Sequence, residues 1–396
     1  EILIGLVGSE MCIRDRNYEY SRMAIDLALG RGGDQVVVKE GENVVYYGGN
    51  SKQVEKNTRV KARVKAHALR EIIESREHVM IMGHSISDTD AFGAAIGIYC
   101  AARVLGKKAQ IVLDQVTSSL RPLKEGFTTE KGYPPDMFVS SERALELTDY
   151  NTLVMVVDVN RPSHTECPGL LKRTDSIVVF DHHRQSSEVV SNPVLSYIEP
   201  YASSTCEMVA EVLQYFTENI KLAPHEADCI YAGILIDTSN FMTKTGVRTF
   251  EAAAYLKRCG AEVTRVRKML RNDMDAYKAR AEVVRHAEVY RGAFAISICP
   301  ADKIESPTIV GAQAADELLN IVGIKASFVL TEYQGKIYVS SRSIDEINVQ
   351  KIMERLGGGG HLNMAGCQLR DCTVSQAQRI IEDTIDEMLE EGDIEE

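Results

Sequence analysis

Four short segments of the chain place acidic or imidazole side chains where an apolar run ends. They read MIMGHSISDTDAFGAA (80–95), LVMVVDVNRPSH (153–164), IVVFDHHRQ (177–185) and AGILIDTSNF (232–241). The groups in them that could do chemistry are His84, Asp88, Asp90, Asp158, Asp181, His182, His183 and Asp237. A single segment also fits a plainer interpretation, because polar residues follow many strands and acids cap many helices. Four such segments in one chain favour a shared site.

The residue types in these segments indicate a site for divalent cations. Carboxylates gathered in one cleft repel one another and are costly to desolvate unless cations accompany them. Oxygen and imidazole donors without a thiolate favour a hard, six-coordinate ion, with Mn²⁺ preferred and Mg²⁺, Co²⁺ or Fe²⁺ as substitutes. The number of ligands suits two ions about 3.5–4 Å apart that share a bridging carboxylate and activate water. The predicted chemistry is hydrolysis of a phosphate ester or diester.

The elements around these segments predict how they meet. From His78 to about Thr264, apolar strands alternate with helices, which is typical of an α/β fold with a mainly parallel sheet covered by helices. Ligands of such sheets bind beyond the carboxyl ends of the strands, so Asp158 and His182 should converge there with the 84–90 loop. Asp237 follows a helix-like run, and the chain must return it to the same edge. Small residues at 93–97 predict close packing of the next helix on the sheet.

A smaller α+β domain is predicted after a charged helical stretch. Its strands include AFAISIC, ASFVLTEYQGKIYVSSRS and AGCQLR, with helices at about 311–320 and 347–356. The segment LGGGGHLNMAG (356–366) supplies Gly358, Gly359, Gly360 and His361, whose backbone N–H groups and imidazole could hold a phosphate. Arg342 in SSRS could pair with the same phosphate. A flexible turn and a surface arginine are the plainer alternatives. Residues 203–205 could cap a helix or contact substrate.

Composition excludes several classes of function. The net charge of -12 argues against binding of long nucleic acid, which normally needs a basic surface. No run of about 18 apolar residues is present, so no membrane contact is predicted for this chain. The nine cysteines form no paired motif and are read as reduced thiols, which predicts a cytoplasmic location.

The region before the four segments is divided into three parts. Residues 1–16 fit no later pattern and are predicted to be an extraneous extension. Residues 17–50 predict a helix at Arg22–Leu29 and then a hairpin, since two β-rich runs flank Glu-Gly-Glu-Asn. Residues 51–76 predict a charged helical connector.

The combined motifs resemble those of the DHH phosphoesterase superfamily. GHSISDTDAFGAAIG, VVDVNRP, FDHHR and GILIDTSNF are similar to its successive motifs, and SSRS with GGGGHLNMAG is similar to its DHH-associated C-terminal domain. The resemblance implies a catalytic domain at 77–264, a helical linker at 265–288 and a substrate-binding domain at 289–392. It also implies two Mn²⁺ ions, held by His84, Asp88, Asp90, Asp158, His182 and Asp237. Asp158 would bridge the ions, His183 would orient the site or contact the phosphate, and Asp181 would lie behind the ligands.

The upstream segment YEYSRMAIDLALGRGGDQVVVKEGENVVYYGG resembles the end of the degenerate GGDEF domain of membrane-anchored cyclic-di-AMP phosphodiesterases. This resemblance implies a truncated piece of a parent protein anchored at the cell membrane, with its catalytic domain facing the cytoplasm. The implied function is Mn²⁺-dependent hydrolysis of cyclic di-AMP to linear pApA by two-metal-activated water, by a chain that could form a homodimer.

Two alternatives to that function stay open. The first is a DHH nano-RNase or 3′-phosphoadenosine phosphate phosphatase that acts on short linear nucleotides. The GGDEF-like remnant favours a cyclic dinucleotide as the substrate over short linear nucleotides. The second is a non-catalytic cyclic-dinucleotide sensor, against which the intact set of ligands argues.

Overall fold

The structure is a computed structural model. It describes residues 21, 24–25, 35–40, 43–48, 59–185, 188–218, 220–271, 274–301, 304, 306–344 and 347–394. The chain divides after Leu270 into two compact units. Before the first sheet, strands β1 (Gln35–Glu40) and β2 (Asn43–Gly48) pair antiparallel, which confirms the predicted hairpin. Residues 1–16, and most of the predicted helix at Arg22–Leu29, lie outside the described residues.

The first unit contains a six-stranded parallel sheet in the order β5-β4-β3-β6-β7-β8. Its strands are β3 (His78–Met82), β4 (Lys108–Val112), β5 (Phe138–Val139), β6 (Thr152–Val157), β7 (Ile177–Asp181) and β8 (Leu195–Ile198). Its helices are α1 (Arg59–Glu74), α2 (Thr89–Val104), α3 (Arg121–Lys124), α4 (Ser141–Leu147), α5 (Thr205–Phe216), α6 (Pro224–Asp237), α7 (Val247–Arg258) and α8 (Val263–Met269). Three 3₁₀ turns occur at Thr129–Lys131, Pro162–His164 and Pro168–Lys172.

The central strands are buried on both faces. In β6, Leu153 and Met155 belong to one apolar cluster, whereas Val154 and Val156 belong to another on the opposite face. Because successive side chains of a strand point to opposite faces, a strand covered on both sides needs a continuous apolar run. The predicted parallel sheet covered by helices is confirmed.

Glycines let helix α2 approach its neighbouring helices closely. A Cβ atom added to Gly93 would lie 2.5 Å from the carbonyl oxygen of Cys229 in α6. One added to Gly97 would lie 2.4 Å from Cγ1 of Val209 in α5. The glycine face predicted to pack on the sheet therefore packs on α5 and α6, because these helices cover the outer side of α2.

Helix α1 differs from the predicted connector. Ala62, Ala66, Leu69 and Ile73 are fully buried, and the last three lie in the apolar cluster that covers one face of the parallel sheet. Their spacing places them on one side of the helix. The helical part of the predicted connector therefore contributes to the core of the first unit, while residues 51–58 lie outside the described residues.

The second unit is an α+β domain with a six-stranded sheet in the order β13-β14-β12-β11-β10-β9. β10 and β11 are parallel and the other pairs are antiparallel. Its strands are β9 (Glu288–Tyr290), β10 (Phe294–Cys299), β11 (Ala326–Tyr333), β12 (Lys336–Ser343), β13 (Gly359–His361) and β14 (Met364–Leu369). Its helices are α9 (Met274–Arg285), α10 (Pro307–Leu318), α11 (Val349–Arg355) and α12 (Val374–Glu390). The predicted α+β class is confirmed.

The sequence did not predict that α9 packs within the second unit, or that α12 forms. Helix α9 lies in the segment predicted as a linker, yet its Val283 is buried in a cluster with Ala295 and Val310. Helix α12 begins at a capping box of Thr373 and Gln376, which is a recognisable signal for a helix start in the sequence. Among the helices that the structure describes, none combines the length and the apolar character needed to span a membrane.

Candidate metal centre

The carboxyl end of the parallel sheet carries the candidate site. Strands β3, β6 and β7 lie side by side and run in the same direction, so their following residues meet at one edge. The loop after β3 carries His84, β6 is followed by Asp158, and β7 is followed by His182. Asp237 is the last residue of α6, which returns it to this edge.

The six predicted ligands come together in two groups that share Asp158. In the first group, Nε2 of His84 lies 3.4 Å from Oδ1 of Asp88 and 3.6 Å from Oδ2 of Asp158. The distances around His182 define the second group. Its Nε2 lies 3.2 Å from Oδ2 of Asp237, 3.5 Å from Oδ1 of Asp158 and 4.0 Å from Oδ2 of Asp90. The two oxygens of Asp158 therefore face different groups.

Asp158 adopts a conformation that few residue types tolerate. Its φ is 61°, in the left-handed region, and its N–H donates to the carbonyl oxygen of Phe180 at 2.8 Å. Aspartate and asparagine accept this region more readily than bulkier residues. The turn ends β6 and leaves the carboxylate buried between both groups.

The first turn of α5 holds two of the candidate ligands. The backbone N–H groups of Thr205 and Cys206 donate to Oδ2 and Oδ1 of Asp90, at 2.7 and 2.9 Å. The Thr205 hydroxyl donates to Oδ1 of Asp158 at 2.9 Å. Ser204 caps the helix by accepting from the N–H of Glu207. Of the alternatives for 203–205, the structure shows the cap, together with support of two carboxylates.

Asp88 caps a helix, and its position also fits the metal-ligand interpretation that the sequence left open. Its Oδ1 accepts from the N–H groups of Asp90 and Ala91, each at 3.0 Å, so it caps helix α2. The same oxygen lies in the group around His84. A helix cap and a metal ligand are compatible here, since a carboxylate oxygen has more than one lone pair.

The electrostatics of the cluster favour bound cations. Burial, followed by the charge of Asp237, raises the pKa of Asp90 to about 6 against the opposing charge of His182. Burial, followed by the charge of Asp90, also raises the pKa of Asp158 well above its usual range. Burial lowers the pKa of His182, but the hydrogen bond and charge of Asp237 outweigh this and raise it to about 9. Divalent cations would relieve the crowding, so the donor set fits them.

Asp181 is fully buried and contacts the more exposed His183, and these two residues flank the candidate ligand His182 in the sequence. Oδ1 of Asp181 accepts from the N–H of His183 at 3.1 Å and lies 2.8 Å from its Nδ1. The amide of Asn160 donates to Oδ2 of Asp181 at 2.5 Å and to the carbonyl oxygen of His183 at 3.2 Å. Sequence reasoning missed Asn160, and its only signal was its position two residues after Asp158.

The substrate residues predicted in the second unit lie on strands and a tight turn. Arg342 on β12 is mostly buried, and its Nε donates to Oδ1 of Asp316 at 2.7 Å. A Cβ atom on Gly358 would lie 2.2 Å from the carbonyl oxygen of Gly366, so close packing requires this glycine. Gly359–His361 form β13, an edge strand paired with β14, in the segment for which a flexible turn was the plainer alternative.

Two family models match the chain. The DHH family, N-terminal domain, matches residues 78–234, and the DHHA1 domain matches residues 294–391. The first matched range contains all of the candidate ligands except Asp237. The second contains Arg342 and the glycine segment.

Curated relatives match most of the chain. The cyclic-di-AMP phosphodiesterase GdpP of Geobacillus thermodenitrificans is 42% identical over 377 residues, which cover 94% of this chain and 57% of that protein. GdpP of Bacillus subtilis is 41% identical over 381 residues, again 94% of this chain and 57% of that protein. The chain thus spans somewhat more than half the length of these relatives.

A solved structure shows the same fold at low identity. The crystal structure of an exopolyphosphatase-related protein from Bacteroides fragilis is 18% identical, with a TM-score of 0.71, and the match covers 85% of this chain and 98% of that one. The parallel sheet of this chain, the carboxylates and imidazoles at its edge, and the two matched family models are consistent with one another. The chain belongs to the DHH family, with a DHH N-terminal domain followed by a DHHA1 domain.

Proposed function

We propose that the first unit binds two divalent cations, Mn²⁺ by preference. His84, Asp88 and Asp158 would hold one, and Asp90, His182 and Asp237 would hold the other, with Asp158 shared. The observation that carries this proposal is the orientation of Asp158, whose Oδ2 faces His84 while its Oδ1 faces His182. The three groups of ligand atoms that could hold an ion in the described residues draw on these six residues and His183.

The proposed reaction is hydrolysis of cyclic di-AMP to linear pApA. Two relatives about 40% identical are named cyclic-di-AMP phosphodiesterases, which supports this substrate for a chain that spans 57% of their length. Bound cations would supply charge for the phosphate oxygens and lower the pKa of the attacking water. The protein's part is to place six ligands on rigid elements at one edge of the sheet.

His183 is the proposed contact to the phosphate. Its side chain is 44% exposed, while Asp181 behind it is fully buried. The contact between Nδ1 and Asp181 orients the ring, and the exposed imidazole would contact a phosphate oxygen or give a proton to the leaving 3′-oxygen. Asp181 therefore acts by positioning His183.

In the second unit, we assign phosphate binding to Arg342, the backbone of Gly358–Gly360, and His361. The Nε of Arg342 donates to Asp316 and its Nη1 donates to the carbonyl oxygen of Ser341 at 3.0 Å, and a guanidinium has five N–H donors in all. The variant Arg342→Met should raise KM for cyclic di-AMP more than it lowers kcat. Arg355→Met is the control, because Arg355 pairs with Asp393 at 2.7 Å in an exposed ion pair of the same unit.

Product analysis by chromatography tests the proposed function. The chain with Mn²⁺ receives cyclic di-AMP, cyclic di-GMP, pApA and 3′-phosphoadenosine phosphate in parallel. Asp158→Asn removes the shared carboxylate, and Asp175→Asn is a matched control at an exposed aspartate just before β7. Conversion of cyclic di-AMP to pApA by the wild type and Asp175→Asn, but not by Asp158→Asn, is expected.

Other outcomes would redirect the assignment. Cleavage of the linear substrates alone would assign the chain to short linear nucleotides. Binding of cyclic di-AMP without cleavage of any substrate would make the chain a sensor. Equal activity of Asp158→Asn and the wild type would contradict the two-cation site.

A further inference from the structure

A buried cluster of charged side chains lies behind the first turn of α5. We call it the Arg248 network, and its members are Glu199, Ser203, Glu207, Glu211, Arg248 and Thr249. All six are at most 9% exposed, and none is among the candidate metal ligands. Buried charges are costly unless they are paired. A cluster with this many buried charged side chains therefore calls for an explanation.

Arg248 is the centre of this cluster. Its Nε and Nη2 donate to the two carboxylate oxygens of Glu211, at 2.8 and 2.7 Å. Its Nε also lies 3.6 Å from Oε1 of Glu207, and its Nη1 lies 3.9 Å from Oε2 of Glu199. Arg248 thus joins helix α7 to helix α5 and to the residue that follows β8.

Glu207 connects Arg248 to the turn that holds the metal ligands. Its Oε2 accepts from the hydroxyls of Ser203 and Thr249, each at 2.6 Å. Its N–H donates to Ser204, the cap of α5. The two residues between this cap and Glu207 are those whose N–H groups grip Asp90, and one of them also donates to Asp158.

The charges explain why the arrangement depends on Arg248. Three buried carboxylates, of Glu199, Glu207 and Glu211, surround this guanidinium. Lys61 of α1 pairs with Glu199 from the more exposed side. Without Arg248, Glu207 and Glu211, one turn apart on α5, would repel each other within a low-dielectric interior. The first turn of α5 would relax to separate or hydrate them.

We propose that Arg248 is a positioning residue of the metal centre. It holds the first turn of α5 so that the N–H groups of Thr205 and Cys206 fix Asp90, and the Thr205 hydroxyl fixes Asp158. This inference rests on the two-cation site proposed above. Groups that orient metal ligands typically change metal affinity 10–100-fold when removed. Arg248 is not itself among the candidate ligands, and its proposed effect reaches them through Glu207 and Glu211 of the helix whose first turn holds Asp90 and Asp158.

A second buried ion pair provides a matched control. Arg103, near the end of α2, donates to the fully buried carboxylate of Glu226 at 2.8 Å. Arg103 follows Asp90 by 13 residues on the same helix, which is about 20 Å along its axis. Arg103→Met therefore also unpairs a buried carboxylate, at a distance from the metal centre.

The test measures Mn²⁺ binding by titration calorimetry and by the electron paramagnetic resonance signal of an exchange-coupled Mn²⁺ pair. Arg248→Met should weaken Mn²⁺ binding by about 10–100-fold and reduce the coupled signal. Arg103→Met should keep both at the wild-type level despite a comparable loss of thermal stability. Arg248→Lys keeps the charge but loses the two-point contact with Glu211, so its Mn²⁺ affinity should fall between those of wild type and Arg248→Met.

Three results would overturn the inference. The first is wild-type Mn²⁺ affinity in Arg248→Met. The second is an equal loss of Mn²⁺ affinity in Arg248→Met and Arg103→Met. The third, which applies if Arg248→Met does not fold, is wild-type Mn²⁺ affinity in Arg248→Lys. Absence of Mn²⁺ binding by the wild type would instead overturn the two-cation site itself, so the two failures are distinguishable.

Discussion

At the scale of single residues, Asp158 connects backbone conformation to chemistry. Its left-handed backbone conformation ends β6, and one oxygen of its carboxylate faces each group of ligands. Residues in sparsely populated conformations cost about 1–3 kcal/mol and persist where the surrounding structure holds them. Here the Thr205 hydroxyl and the backbone of Phe180 hold Asp158 in place.

Removal of the Thr205 hydroxyl should weaken metal binding without removing a ligand. In Thr205→Val, Oδ1 of Asp158 loses its donor at 2.9 Å, and we expect about 10–100-fold weaker Mn²⁺ binding by calorimetry. Thr205→Ser retains the hydroxyl and is the control. Equal Mn²⁺ affinities for the two variants would show that Asp158 is oriented without this hydrogen bond.

Mn²⁺ affinity should rise with pH. In the metal-free protein the pKa of Asp90 is raised to about 6 and that of His182 to about 9, so each group keeps its proton at higher pH than usual. A cation must displace these protons, and this competition fades as pH rises through each pKa. Calorimetry in buffers of different ionisation enthalpy should show proton release at pH 7. Affinity that stays constant from pH 6 to pH 9 would contradict this.

At the scale of elements, helix α2 depends on glycine where it meets α5 and α6. Gly97 lies in the middle of α2, whereas Gly233 lies on α6 opposite Asp90. A Cβ atom on Gly233 would approach Sγ of Cys206 to 2.4 Å and Oδ1 of Asp90 to 2.9 Å. Substitution of Gly97 therefore tests helix packing alone, whereas substitution of Gly233 also tests the position of Asp90.

Alanine at these glycines should give different results. Gly97→Ala should lower the free energy of unfolding by about 1–3 kcal/mol through overpacking and leave Mn²⁺ affinity nearly unchanged. Gly233→Ala should lower both, because it displaces Asp90 as well. Gly169→Ala is the control, since its Cβ would meet only the tip of Leu145 at 3.1 Å. Denaturant unfolding and Mn²⁺ titration measure the two effects, and unchanged Mn²⁺ affinity in Gly233→Ala would contradict the second.

At the scale of the whole molecule, the two units should respond differently to metal. All proposed ligands lie before the division at Leu270. Mn²⁺ at 100 times its dissociation constant should stabilise the first unit by about 2.7 kcal/mol per independent site. Hydrogen exchange with and without Mn²⁺ should show added protection in the first unit, around β3, β6 and β7, and little change in β10 to β12. Equal protection of both units would contradict this assignment.

Several features of the whole protein stay predictions. They are the GGDEF remnant at 17–50, the extraneous extension at 1–16, the membrane-anchored parent, the cytoplasmic orientation of its catalytic domain, and the homodimer.

What the sequence determined by itself is local or follows from topology. Apolar runs that alternate with helices require a parallel sheet covered on both faces, and parallel strands bring their following residues to one edge. Because the side chains of those residues are carboxylates and imidazoles, the sequence already favours a hard divalent cation. The sequence alone therefore predicts that His84, Asp158 and His182 lie at one edge of the sheet.

Only the tertiary structure decided which groups support the ligands. The N–H of Thr205 and the carboxylate of Asp90 are 115 residues apart, and Arg248 follows Glu211 by 37. Contacts over such separations leave no periodic pattern in one sequence, because each partner alone is an ordinary cap or surface charge. The return of Asp237, the burial of α1 and the two-sided role of Asp158 depend in the same way on how distant elements pack.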